Sequence, residues 1–139
     1  MKVAIDTNIT LDVLARREPF YEESNNVLEL CATGAIEGAL TANAITDIYY
    51  VLRKHLDGDM LRAALQGLME LLEVIDVTGN DCMKALDIPM PDYEDALFVC
   101  SAMRWGAECI ITRDTKDFAH SPLKALSPKS YLENEHSAG

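Results

Sequence analysis

Apolar residues follow two alternating spacings along the chain. Short continuous apolar runs are typical of buried strands in a parallel sheet, and such runs occur at 2–5, 36–40, 74–77, 108–112 and 123–126. Between them, apolar residues recur every three or four positions, which predicts helices at 7–17, 19–33, 41–52, 57–72, 78–86 and 92–105. This alternation predicts an α/β fold, a three-layer α/β/α sandwich with a mostly parallel central sheet.

Three of these helices have faces that can be assigned from the spacing. The helix at 19–33 is predicted to turn Phe20 inward. In the helix at 41–52, the stripe predicted to face the core consists of Ile45, Ile48, Tyr49 and Leu52. Asp47 falls beside that stripe. The helix at 92–105 begins with acids and is then apolar nearly all round, which predicts burial against the sheet, other helices or a second subunit.

Length and composition indicate an ordinary globular protein. The 139 residues suffice for one core, and we expect a single domain at 1–132 followed by a disordered tail at 133–139. Hydrophobic residues make up 49% of the chain, yet no apolar stretch reaches the ~18 residues that a membrane span needs. The first residues also lack the pattern of a signal peptide, so we expect a cytoplasmic protein without a membrane partner.

The net charge limits how this chain could bind nucleic acid. Its formal value is −11, so no general electrostatic field attracts phosphates, and any polyanion has to be met at a local site. The cysteines give no zinc-ligand spacing with the histidines and are expected to be reduced core residues, namely Cys31, Cys82, Cys100 and Cys109.

Carboxylates recur where an open α/β sheet binds its ligands. Asp6 and Asp114 each follow a predicted strand, so both are expected at the carboxyl edge of the sheet. Asp92 and Asp95 are three residues apart and share a face at the start of a helix, and Asp47 adds another element. Carboxylates gathered this closely cannot all stay ionised without a counter-charge. Oxygen ligands of this kind suit a hard divalent cation, Mg²⁺ or Mn²⁺.

Each acid also has a purely structural interpretation. Asp6 could serve as the N-cap of the following helix and nothing more, and Asp92 and Asp95 could be the N-cap and its partner in the first turn of a later helix. Asp47 could be a solvated helix residue, and Asp114 could be a turn former, as could Asp117. The joint placement of the acids, and no single one of them, favours a site.

The ordered set of motifs resembles the PIN domain, a nuclease family that includes the VapC-type toxins of bacterial toxin-antitoxin systems. The matching pieces lie between residues 3 and 118 in the family's order. They are Val3-Ala4-Ile5-Asp6-Thr7-Asn8, the segment 41–52 with its acid at Asp47, Asp95-Ala96-Leu97, Ile110-Ile111-Thr112-Arg113-Asp114 and Phe118.

The resemblance implies a metal site and its ligands. The family's acids carry over to Asp6, Asp47, Asp95 and Asp114, with Asp92 as a possible extra ligand. Supporting oxygens would come from Asn8 and Thr112. This chain departs from the family at Asp47, where members usually have glutamate, so a shorter side chain would reach the metal only through water.

The reaction implied by the resemblance is metal-dependent hydrolysis of RNA phosphodiester bonds, with the protein as the toxin of a toxin-antitoxin pair. The candidates for contacting RNA phosphates are Arg16, Arg17, Arg53, Lys54, Arg113 and Lys116. The apolar helix surfaces at 96–103 and 61–72 could bury a homodimer partner or an antitoxin.

Two other functions are compatible with parts of the sequence. A haloacid-dehalogenase-like phosphatase would use Asp6 as its nucleophile, although Asn8 stands where that family needs a second acid. A non-catalytic PIN-like assembly module would keep the fold and bind no metal. Metal-dependent cleavage of single-stranded RNA separates both from the nuclease.

Overall fold

β1 (Lys2–Ile5) lies at the centre of a parallel sheet. The computed structural model describes residues 1–136. The other strands are β2 (Glu37–Thr41), β3 (Glu73–Ile75), β4 (Cys109–Ile111) and β5 (Ala125–Leu126). They pair in the order β3-β2-β1-β4-β5, and every pair is parallel. The predicted parallel sheet is therefore confirmed.

Helices cover both faces of the sheet. They are α1 (Thr7–Leu14), α2 (Tyr21–Ala32), α3 (Ala42–Leu52), α4 (Gly58–Leu71), α5 (Gly79–Ala85), α6 (Tyr93–Trp105) and the short α7 (Pro128–Ser130). Val3 and Ile5 pack with α1 to α4 on one face, whereas Ala4 packs with α6 on the other. Because neighbouring strand residues point to opposite faces, β1 contributes to both cores, and the three-layer α/β/α sandwich is confirmed.

The register of the central strands brings their ends together. Ile5 pairs with Ile111, and the backbone N–H of Asp6 donates to the carbonyl of Ile111 at 3.0 Å. The N–H of Thr112 in turn donates to the carbonyl of Leu126 at 2.9 Å. The residues that follow β1 and β4 are thus held side by side at the carboxyl edge of the sheet, where parallel α/β folds bind ligands.

Two aromatic residues predicted to face the core are exposed instead. Phe20 precedes α2, which begins at Tyr21, and it is 40% exposed. Tyr49 is 41% exposed because the buried face of α3 is made by residues four apart, namely Ala44, Ile48 and Leu52. Both predictions were wrong: Phe20 lies before the helix begins, and for Tyr49 apolar spacing alone left the rotation of the helix uncertain by one position.

The buried acid Asp81 links α5 to α6 through contacts with Ser101 and Arg104. Thr78 and Asp81 form a capping box at the start of α5. Asp81 is 2% exposed and also accepts from the Ser101 hydroxyl at 2.9 Å and pairs with Arg104 at 3.0 Å. Burial raises the pKa of Asp81, but the hydrogen bonds from Arg104, Thr78 and Ser101 outweigh it and lower that pKa to about 2.

The last described residues and the cysteines bear on further expectations. Helical geometry continues through Tyr131–His136, so the predicted disordered tail at 133–139 begins within a helical segment, and 137–139 lie outside the described residues. No cysteine in the described part of the chain forms a disulfide, and Cys100 and Cys109 are buried. Among residues 1–136, no helix combines the length and apolar character needed to cross a bilayer.

Candidate active site

Asp6 ends β1 and joins the sheet to the site. One of its oxygens accepts from the Thr7 backbone N–H at 2.8 Å, so the residue is the N-cap of α1. Its other oxygen accepts from the Thr112 hydroxyl at 2.7 Å. Burial raises the pKa of Asp6, the hydrogen bonds from Thr112 and Thr7 lower it, and the nearby charge of Asp114 raises it again. Capping and participation in a site are therefore compatible at this residue.

Acids from three elements line one small cavity at this edge of the sheet. Asp6 follows β1, Asp47 comes from α3, and Glu94 and Asp95 come from the first turn of α6. The space between them measures ≈ 20 Å³, enough for one water molecule or an ion of similar size. Residues that are 89 positions apart in sequence are thus gathered, as the sequence predicted for Asp6 and Asp95.

Asp95 has a strongly perturbed carboxyl. Burial raises its pKa to about 7, with further increases from the charges of Asp92, Asp6, Asp117 and Glu94. Its backbone N–H donates to the Asp92 carboxylate at 2.9 Å, so Asp92 is the N-cap of α6. The two acids therefore differ in place: Asp92 caps the helix from an exposed position, and Asp95 lines the cavity.

Glu94 is a site residue that the sequence analysis missed. Its carboxyl shares a hydrogen bond with that of Asp47, and this contact, together with burial, raises the pKa of Glu94. The missed signal was the acidic run 92–95 combined with the short side chain of Asp47. A glutamate on α6 supplies the carboxyl that reaches across to α3, so the cavity contains a longer acid after all.

Asp114 lies at the rim, beside the cavity. The Asn8 side-chain amide donates to its carboxylate at 3.0 Å, and its own backbone N–H donates to the Thr112 hydroxyl oxygen at 3.0 Å. The same Asn8 amide lies 3.4 Å from Thr112 Oγ1. Thr112 is fully buried, and its hydroxyl connects the two acids by donating to Asp6 and accepting from the Asp114 N–H. Both residues predicted as supporting oxygens, Asn8 and Thr112, lie between the acids.

The residues predicted to contact phosphates differ in their exposure and in whether other side chains already hold their charged groups. Arg113 is committed to the protein: its Nε donates to Asp12 at 2.7 Å and its guanidinium lies 3.9 Å from the centre of the Phe20 ring. Two others rest on aromatic rings, Arg16 on Tyr21 and Arg53 on Tyr50. The exposed cations are Arg16, Arg53, Lys54 and Lys116, whereas Arg17 is half-buried.

The carboxylates are gathered but do not form a closed cage. Among residues 1–136, no three His, Cys, Asp or Glu side chains converge on a common point closely enough to hold a metal as they stand. The donor set nevertheless consists of oxygens with three raised pKa values, at Asp6, Glu94 and Asp95, which is the electrostatic environment that a divalent cation neutralises.

A sequence comparison decides the family. The sequence model of the PIN domain matches residues 2–116. The chain belongs to the PIN domain family. This membership confirms the resemblance seen in the motifs and decides against the haloacid-dehalogenase-like alternative.

Known proteins similar to this PIN domain match it over nearly its whole length. Ribonuclease VapC1 of Aquifex aeolicus is 23% identical over 137 residues, which cover 95% of this chain and 94% of that protein. A chain of the DNA-bound VapBC from Salmonella typhimurium is 18% identical with a TM-score of 0.71, over 92% of this chain and 98% of that one. VapBC2 from Rickettsia felis, bound to a promoter DNA fragment, gives 18% identity and a TM-score of 0.69, over 91% and 98%.

Proposed function

We propose that this PIN domain is a metal-dependent endoribonuclease. The observation that carries the proposal is the cavity at the carboxyl edge of the sheet, where Asp6, Asp47, Glu94 and Asp95 face one another. Acids held together at such a cost in electrostatic energy are typical of a functional site. RNA as the substrate is supported by the name of the relative Ribonuclease VapC1.

Mg²⁺ or Mn²⁺ is the cofactor that these side chains would suit. Asp6, Asp95 and Asp47 would hold it, with Glu94 and Asp114 as the nearest additional carboxylates. When bound, such a cation polarises a phosphoryl oxygen and lowers the pKa of a water molecule, which makes that water a nucleophile at neutral pH. It would also reduce the negative charge that the RNA backbone meets at this edge.

The remaining residues position the acids. The Thr112 hydroxyl donates to Asp6, which favours the charged form of that carboxyl and fixes its orientation. The Asn8 amide holds Asp114 from the other side. Because Thr112 and Asn8 make these hydrogen bonds before any substrate binds, little reorganisation is left for the reaction itself.

The direct test is cleavage of a short single-stranded RNA that carries a fluorophore and a quencher. Purified protein with millimolar Mn²⁺ or Mg²⁺ is expected to cleave it, and excess EDTA is expected to stop cleavage until the cation is restored. Cleavage that continues unchanged in EDTA would contradict metal dependence. No cleavage of any RNA with either cation would instead favour the non-catalytic assembly module.

An antitoxin is the partner that we propose for this nuclease. The VapBC neighbours are toxin-antitoxin complexes, and α1, α2 and α4 here form an apolar groove. The groove is lined mainly by Val13, Leu14, Leu28, Ala64, Leu68 and Leu71. An apolar groove of this kind fits an amphipathic helix. The predicted homodimer stays a prediction.

The groove can be tested without touching the acids. Ala64→Glu places a charge in it, so this variant is expected to cleave RNA like the wild type but to need a roughly tenfold higher concentration of a candidate antitoxin for half-maximal inhibition. Inhibition curves of the two proteins against the same antitoxin give the comparison. Equal inhibition of both would show that the groove is not the antitoxin site.

A further inference from the structure

Asp12 is a buried acid that the proposed reaction does not use. It lies in α1 and is 0% exposed, yet it is ionisable. Its Oδ2 accepts from the Nε of Arg113 at 2.7 Å and from the Ser24 hydroxyl at 3.0 Å. Its Oδ1 is buried and has no hydrogen-bond partner in the described part of the chain. Burying a carboxylate with one oxygen unsatisfied is unfavourable, so stability does not explain its presence.

Arg113 connects this acid to the site. It lies between Thr112 and Asp114 in the segment that leaves β4. Its backbone N–H donates to Asn8 Oδ1 at 3.4 Å, and its guanidinium is held by Asp12 and lies on the ring of Phe20. The segment is therefore attached to α1 and to the residue before α2 by both the backbone and the side chain of one arginine.

The energetics of such a pair favour a geometric role. A buried ion pair gains little net stability over well-packed apolar residues, because both charges lose their hydration. It does, however, impose a narrow geometry, since the guanidinium can approach the carboxylate only in a few orientations. Asp114 needs a fixed position beside Asp6: its backbone N–H donates to the Thr112 hydroxyl oxygen, which in turn donates to Asp6, and its carboxylate accepts from the Asn8 amide.

We propose that Asp12 is a positioning residue for the active site. Acting through Arg113, it holds the segment Thr112–Asp114 against α1, so that Asp114 stays beside Asp6. The inference rests on the proposed nuclease function for its catalytic consequence only, since the attachment itself is a property of the fold. It also assigns Arg113 a role different from the phosphate contact that the sequence predicted.

The two roles of Arg113 predict different kinetics. If Arg113 contacted RNA phosphates, removing the negative charge of Asp12 would free the guanidinium and lower KM. If Arg113 positions Asp114, the same change leaves KM almost unaltered and lowers kcat, because misplaced acids stabilise the transition state less well while the RNA still binds in the ground state. Asp12→Asn keeps the size of the side chain and an oxygen that accepts from Ser24, but it removes the negative charge that pairs with Arg113.

Asp81 provides a matched control. It is likewise a buried acid paired with an arginine, Arg104, and bonded to a serine, Ser101. Asp81 caps α5 and lies outside the acidic cavity. Asp81→Asn is therefore expected to destabilise the fold at least as much as Asp12→Asn, so an effect on cleavage that comes from stability alone should appear in both variants.

The experiment compares wild type, Asp12→Asn and Asp81→Asn with Mn²⁺ and the fluorogenic RNA, at a temperature where thermal unfolding shows all three folded. Asp12→Asn is expected to lose roughly 10- to 100-fold in kcat with KM changed by less than about threefold. Asp81→Asn is expected to keep the wild-type kcat. A kcat of Asp12→Asn within about twofold of wild type, an equal loss in Asp81→Asn, or a change confined to KM would overturn the proposal.

Amide hydrogen exchange separates this inference from the proposed function. The Asp114 N–H, bonded to Thr112, is expected to exchange at least about tenfold faster in Asp12→Asn than in wild type or Asp81→Asn. If the wild type cleaves no RNA, the nuclease function is wrong, and the exchange rate alone decides whether Asp12 holds the segment. Unchanged exchange at Asp114 would contradict the positioning role whatever the activity.

Discussion

Asp6→Asn is expected to lower the kcat of RNA cleavage by about a thousandfold or more. Asp6 follows the central strand and accepts a hydrogen bond from the Thr112 hydroxyl, and the nearby charge of Asp114 raises its pKa. Asparagine keeps the side-chain oxygen that caps α1, so the fold is retained. What is lost is the negative charge that a divalent cation requires. Steady-state cleavage with saturating Mn²⁺ measures kcat, and circular dichroism shows whether the fold is retained.

Asp57→Asn is the control for this substitution. Asp57 caps α4 by accepting from the Met60 N–H at 3.0 Å, and it does not line the acidic cavity. The same chemical change there is expected to leave kcat within about twofold of wild type, because asparagine caps as well as aspartate. Activity of Asp6→Asn close to that of Asp57→Asn would show that Asp6 is only a helix cap.

Asp95→Asn is expected to abolish cleavage and, at the same time, to stabilise the metal-free protein. The pKa of Asp95 is raised to about 7 by burial and the surrounding acids. Between pH ~4 and ~7 the folded protein keeps this proton while the unfolded chain releases it, so the free energy of unfolding falls as pH rises. Above pH ~7 the Asp95 carboxyl is ionised in the folded protein, and its full cost to the free energy of unfolding is present. Asparagine carries no charge and removes it.

The expected gain is modest, because Asp95 is partly exposed and solvent screens its neighbours. At pH 8 in EDTA we expect the free energy of unfolding to rise by about 1–2 kcal/mol, or roughly 3–8 °C in Tm. The difference between variant and wild type should shrink towards pH 4. Thermal unfolding at both pH values makes the measurement, and Mn²⁺ should raise the Tm of wild type more than that of the variant.

A lower Tm for Asp95→Asn than for wild type at pH 8 would contradict this account. That result would mean that the Asp95 carboxylate stabilises the metal-free fold, through the helix dipole of α6, more than the neighbouring acids oppose it. The site would then lack the electrostatic conflict that a cation relieves. Asp57→Asn again provides the baseline for replacing an acid near a helix N-terminus by asparagine.

The sheet and the positions of its end residues could be predicted from the sequence. Parallel strands are continuous apolar runs, and their carboxyl ends lie on one edge whatever the helices do. Asp6 and Asp114 were therefore predictable from the residues alone. The acids on helices were less certain, because spacing within a helix gives a shared face but not the direction in which that face points. Asp47 and Asp95 line the cavity, whereas Asp92 caps α6.

Contacts between elements distant in sequence could not be predicted. Glu94 meets Asp47, and Asp12 meets Arg113, across about 50 and 100 residues of chain. An acid in an amphipathic helix is ordinarily solvated, so nothing in the local pattern marks Asp12 as buried. Arg113 was predicted to contact phosphate because the sequence does not show that Asp12 pairs with it.

The central claim is that the carboxylates of this cavity hold a divalent cation that serves RNA hydrolysis. Its most direct test is anomalous diffraction from a crystal of the protein soaked in Mn²⁺. The account predicts an anomalous peak in contact with oxygens of Asp6 and Asp95, absent from crystals of Asp6→Asn grown alike. Mn²⁺ bound elsewhere, with this cavity empty at a concentration that supports cleavage, would contradict it.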